Sequence, residues 1–174
     1  MRNRAFAAIG LFCLLTACTA LEPLAVREEK YGRASPVFTR SFASKEMDPT
    51  DIWKVYLNAS DDDGDMQRMI ITFGRNEEVG SEITWTRIQE ENRRELSGYL
   101  YWRPGPNARY STYGFLTVQV EDRAGHRSNG VSFPIEFKAG VRQEAPPRGA
   151  FQEKELGPVM ISLRPPGGDG GSNP

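Results

Sequence analysis

Between about residues 36 and 140, this 174-residue chain repeats one pattern. Apolar side chains fall at every second position over short runs, and turn-forming residues separate the runs. Successive side chains of an extended strand point to opposite faces, so each run has an apolar face that must lie against a second layer. Trp53, Val55, Leu57 and Ala59 share one parity, and Lys54, Tyr56, Asn58 and Ser60 the other. Met69, Ile71 and Phe73 follow an Asp-rich turn, and Ile83 with Trp85 starts a fourth run after Val79-Gly80-Ser81. Leu96, Gly98, Leu100 and Trp102 end at Pro104-Gly105-Pro106-Asn107. Leu116, Val118 and Val120 come next, then Val131, Phe133, Ile135 and Phe137, with Val37 to Phe42 as a weaker first strand. Seven short strands in about 105 residues, with no convincing amphipathic helix, predict an all-β domain: a single seven-stranded immunoglobulin-like sandwich. About 20 inward apolar side chains, at roughly 1.5 to 3 kcal/mol each, are enough for its core. Pro134 lies on the outward parity of the last run and predicts an edge or a bulge, because proline cannot donate to a ladder.

The flanks lack this pattern. Residues 18–35 are polar and mixed in charge and read as a tether, and residues 141–174 form a Pro/Gly-rich tail in which 158–163 has the composition of one extra short strand. At the N-terminus, Arg2 and Arg4 precede the ten-residue apolar stretch Ala5 to Leu14. That stretch is too short to be retained as a spanning helix, which needs about 20 apolar residues. Leu15-Thr16-Ala17-Cys18 follows and resembles the lipobox of bacterial lipoproteins. The resemblance implies that residues 1–17 are a signal peptide and that Cys18 is acylated and becomes the mature N-terminus. The lipid then makes the membrane a partner, and Thr19 in place of an aspartate implies the bacterial outer membrane. The alternative is a plain secretory signal, with Cys18 an ordinary core thiol.

Cleavage there would remove Cys13 and leave Cys18 alone, so the mature chain would hold no intramolecular disulfide, cysteine metal cage or free catalytic thiol. The whole chain carries 22 basic and 23 acidic residues; losing Arg2 and Arg4 leaves 157 residues with 20 basic ones, a net charge near −3. Nucleic acid, which calls for a basic face, is therefore not an expected partner.

Two stretches resemble the immunoglobulin-like and fibronectin type III-like modules of bacterial surface proteins: WKVYLNASDDDGDMQRMIITF and GFLTVQVEDRAGHRSNGVSFPIEF. The first runs a strand into an Asp-Gly-Asp turn, and the second reads apolar-x-Val-x-Val-x-Asp-x-x-Gly-x-x-Ser. The chain departs from the Cys and Trp pattern of antibody domains, the acidic repeats of cadherins and the aromatic Gly-Asp-Gly signature of PKD domains, so none of their ligands carries over.

Candidate chemistry centres on Asp61, Asp62, Asp63, Gly64 and Asp65. An EF-hand counted from Asp61 would need Gly and Glu where Met66 and Thr72 stand, so that motif is excluded. A solvated turn with Gly64 at positive φ is the simplest expectation. In an immunoglobulin-like sandwich this turn is the B–C loop and residues 121–129 are the F–G loop, at the same end. Asp61, Asp63, Asp65 and Asp122 are therefore candidate calcium ligands; the competing and preferred expectation is that Arg123 and Arg127 neutralise the cluster without metal. His126, the one histidine, has no second histidine or free thiol beside it in the sequence and reads as an exposed turn residue, and no Gly-x-Ser-x-Gly elbow exists. Tyr99 and Tyr101 share the outward parity and form a candidate stacking face for a glycan or a protein, against ordinary cross-strand packing. The charged residues 89–95 read as a solvated connection. The resulting expectation is a non-catalytic, lipid-anchored interaction or structural module of the cell envelope with no required cofactor, binding an unidentified envelope protein or glycan. A calcium-dependent or glycan-binding surface module is the alternative, and a hydrolase the weakest class.

Overall fold

The computed structural model describes residues 22–74, 82–105, 107–108 and 113–163; the expected signal segment 1–17, Cys18 and the last eleven residues lie outside them. Each alternating run forms a strand: β1 (Val37–Ala43), β3 (Trp53–Ser60), β4 (Met66–Gly74), β5 (Glu82–Arg87), β6 (Glu95–Trp102), β7 (Tyr113–Asp122) and β8 (Val131–Phe137). Two short strands not among the seven expected join them, β2 (Glu46–Met47) and β9 (Glu155–Val159), so the sandwich has nine strands among the described residues. One sheet has the order β1-β3-β6-β9 and the other β2-β8-β7-β4-β5. Their apolar faces meet in one cluster that includes Trp53, Leu57, Met69, Ile71, Leu100, Trp102, Leu116 and Ile135. Trp102 joins the layers, with its ring 6.0 Å from that of Trp53, 5.0 Å from Phe73 and 6.1 Å from Phe137.

The core extends past residue 140. β9 runs parallel to β6, and Leu156, Val159, Ile161 and Leu163 are all buried in the core. The Trp102 indole N–H donates to the Ile161 carbonyl at 2.7 Å, and the Thr86 hydroxyl donates to the Pro158 carbonyl at 2.8 Å. The segment thus seals the gap between the edges of the two sheets. Its strand is Glu155–Val159, three residues earlier than the run 158–163 suggests. β2 pairs only with Glu136 and Phe137 of β8, which leaves Pro134 where no ladder bond is asked of it.

Two expectations fail, one of strand parity and one of local structure. In β5, Ile83 and Trp85 face outward while Thr86 is buried, because Ile71 pairs with Thr84 and Thr86 lies under β9. Residues 18–35 are not all tether: Leu24–Tyr31 form α1, an eight-residue helix with no buried residue. Polar contacts hold it, so it has no apolar face for periodicity to reveal. No helix among the described residues is long and apolar enough to cross a membrane. The charged run at 89–95 contains a 3₁₀ turn at Glu90–Asn92, with Asn92 buried.

Candidate metal centre

Asp61 directly follows β3, Asp65 directly precedes β4 and Asp122 ends β7, so two loops meet at one end of the sandwich. The β3–β4 loop is clamped by main-chain bonds from Asp61 N–H to the Arg94 carbonyl (3.0 Å) and from Met66 N–H to the Arg93 carbonyl (3.2 Å). Gly64, at φ +74°, closes the turn as the sequence suggests. Asp61, Asp65 and Asp122 are 2, 7 and 1 % exposed, and one oxygen of each lies within 4.8 Å of the other two.

Each carboxylate has a structural bond and two have capacity left over. Asp61 Oδ1 accepts from Asp63 N–H (3.0 Å), and Asp65 Oδ2 accepts from Arg123 N–H (3.2 Å). Asp122 Oδ1 accepts from Gly125 N–H (2.6 Å) and His126 N–H (2.8 Å). Asp61 Oδ2 and Asp65 Oδ1 are buried with no hydrogen-bond partner. Unpaired buried carboxylate oxygens are costly, and here two belong to adjacent acids. Burial first, and the Asp65 carboxylate next, push the Asp61 pKa up to about 6.

The preferred sequence expectation of arginine neutralisation does not match this geometry. Arg127 pairs with Glu121 (2.7 Å) and Arg68 binds the other oxygen of the same carboxylate. Arg123 gives Asp65 only its main-chain N–H, while its guanidinium lies 5.8 Å from the centroid of the Tyr31 ring. Among the described residues, neither arginine forms a salt bridge with the three aspartates. Asp63 also stands apart, since its Oδ2 accepts from Ala34 N–H (2.6 Å) after α1. The turn is thus not merely solvated. Asp61 and Asp122 continue the apolar parities 53-55-57-59 and 116-118-120, a signal in the sequence that both are buried.

His126 is not a free turn residue either. Its Nδ1 lies 2.9 Å from Asp122 Oδ2 and its Nε2 3.1 Å from Glu28 Oε1 on α1. Burial opposes its charged form, but bonds from Glu28 and Asp122 outweigh that and hold its pKa above the ordinary value. Arg27 packs over the same loop, where a Cβ on Gly125 would lie 2.4 Å from its guanidinium. On the opposite face, the Tyr99 ring packs at 5.5 Å from Tyr56, with the Lys54 ammonium 4.0 Å from its centroid. Residues 150–153 cross this face: Phe151 stacks on Tyr56 at 5.5 Å and Gln152 N–H donates to Ser97 Oγ. Tyr101 lies apart beside Pro158 and Met160. Tyr99 and Tyr101 therefore do not form one open stacking face.

Three buried carboxylate oxygens, each within 4.8 Å of the other two, are close enough to converge on one hard cation. The donor set, carboxylate oxygens with no nitrogen or sulfur required, is that of a hard cation. Compared with known proteins, the chain matches no family model, no curated protein and no solved structure.

Proposed function

We propose that the chain is a lipid-anchored, non-catalytic immunoglobulin-like module of the bacterial cell envelope that holds a calcium ion between its β3–β4 and β7–β8 loops. The observation that carries the calcium reading is the pair of buried, unpartnered oxygens, Asp61 Oδ2 and Asp65 Oδ1, beside Asp122. A cation would satisfy both and cancel the repulsion among the three acids. Support for the immunoglobulin-like reading comes from strand order: β1-β3-β6 correspond to strands A, B and E, and β8-β7-β4-β5 to G, F, C and C′. β9 lies beside β6, at the place of strand D. Support for a non-catalytic role comes from His126, whose two ring nitrogens are both engaged by carboxylates, leaving neither to accept a proton from a nucleophile.

The lipid on Cys18 rests on the lipobox. It gives the calcium end a position, because α1 begins at Leu24 and docks on the β7–β8 loop through Glu28 and His126. The five residues between Cys18 and Leu24 reach at most about 18 Å when extended, so the loops would work close to the membrane surface. A Cys18→Ser chain is expected to leave the membrane fraction after a high-salt wash; retention there would contradict the anchor.

Calcium at about 100 times its Kd should stabilise the fold by about 2.7 kcal/mol. For a domain of this size the corresponding rise in Tm is about 5 to 10 °C. The Asp61→Asn/Asp65→Asn chain should lose that rise, yet melt above the wild type in chelator because the like charges are gone. Equal melting of the wild type with calcium and with chelator would contradict the site.

A further inference from the structure

The outer face of the five-stranded sheet carries a hollow lined by residues other than the three aspartates. Trp85 is 60 % exposed on the edge strand β5, whereas Trp53 and Trp102 are fully buried. Next to it lies a concavity of about 390 Å³ lined by Gln67, Arg68, Trp85, Arg87, Arg93 and Arg123. That volume falls in the range of small-molecule sites, about 300 to 1,000 Å³. Four of the six lining residues are arginine and none is acidic.

The arrangement is built into the fold. A bulge between Met66 and Arg68 breaks the alternation of β4, so Gln67 and Arg68 both turn away from the core. Arg68 and Arg87 are then direct cross-strand partners, a like-charge pairing that costs stability on a bare sheet. Glu121 compensates Arg68, but neither Arg87 nor Arg123 has a salt-bridge partner among the described residues. Arg93 reaches in beside the 3₁₀ turn; its Nη1 bonds the exposed Glu90, and its Nε is buried without a partner. Arg123 comes from the β7–β8 loop with its guanidinium against Tyr31. The positive charge is thus concentrated in a hollow beside an exposed indole rather than spread over a solvated face.

We propose that this hollow binds an anionic sugar, a pyranose bearing a carboxylate or a phosphate. The apolar C–H face of a pyranose can lie flat on the Trp85 indole. A carboxylate or phosphate on the ring then falls among guanidiniums whose forked N–H donors match both anions. A neutral sugar would leave Arg87 and Arg123 unpaired, and an anion without a ring would leave Trp85 bare.

Because the other two tryptophans are buried out of a ligand's reach, a change in intrinsic fluorescence on adding ligand reports on Trp85. Oligogalacturonate and glucosamine 6-phosphate should each be titrated into the mature chain, with a malto-oligosaccharide, inorganic phosphate and AMP as comparisons. Saturable binding of at least one of the two anionic sugars is expected, about tenfold or more tighter than the neutral sugar, phosphate and AMP; each factor of ten corresponds to about 1.4 kcal/mol. Trp85→Ala, followed by calorimetry, and Arg87→Ala, followed by fluorescence, should each weaken binding about tenfold without lowering the melting temperature. The proposal is overturned if neither anionic sugar binds, if phosphate or AMP binds as tightly, or if both variants bind like the wild type. Calcium binding by the three aspartates is read separately, so either site can fail while the other stands.

Discussion

A chain ended at Lys154 is expected to lose its cooperative unfolding transition. The deletion removes β9 and the segment after it, with Leu156, Val159, Ile161 and Leu163, none more than 7 % exposed. Burying each is worth about 1.5 to 3 kcal/mol, roughly 6 to 12 together, against a total stability of about 5 to 15 for a typical domain. The loss falls on both sheets, because Trp102 loses its acceptor at Ile161 and Thr86 its acceptor at Pro158. A chain ended at Leu163 keeps all of these contacts and should melt like the full chain. Circular dichroism against temperature separates the two, and a shorter chain that melts cooperatively within a few degrees of the longer one would place β9 outside the core.

Trp102→Ala should cost about 3 to 5 kcal/mol, the range for removing a large buried aromatic side chain. Trp102 is fully buried and touches Trp53 of one sheet and Phe73 and Phe137 of the other, so the cavity would open where the layers meet. Trp102→Phe keeps much of the ring but strips the Ile161 carbonyl of its donor, for about 1 to 3 kcal/mol. Urea denaturation should therefore rank wild type, Phe and Ala in descending midpoint. An alanine variant with a wild-type midpoint would show that the sheets are held elsewhere.

The strands were legible because burial on one face forces alternation, and the parities of β3, β4, β6, β7 and β8 all match their buried sides. β5 defeats the same reasoning. Its apolar residues face out while its threonines face in, because pairing with β4 and cover from β9 fix its register more strongly than hydrophobicity does. Ile83 and Trp85 are thus exposed at an edge, and the local rule fails where a binding surface is proposed. α1 was hidden for a different reason: it docks through Glu28, Arg27 and Tyr31, and charged contacts leave no 3.6-residue apolar period. The calcium candidates were half legible. Asp61 and Asp122 continue apolar parities, whereas the turn alone gives no reason to separate Asp65, which faces in, from Asp63, which is held by Ala34. β9 was obscured by its Gly-Pro pair, since Gly157 takes φ +140° to let Thr86 approach and Pro158 gives no main-chain donor.

The most direct test is isothermal titration of calcium into a chain of residues 19–174 after chelation, at pH 7.5 and again at pH 5. With the Asp61 pKa near 6, its proton competes with the ion at the lower pH. The expected result is one calcium per chain at pH 7.5 with a Kd of about 0.1 to 1 mM, as in extracellular modules, and clearly weaker binding at pH 5. The Asp61→Asn/Asp65→Asn chain should give no saturable heat at either pH. Absence of saturable binding by the wild type at pH 7.5, or equal binding by the double variant, would contradict the calcium site.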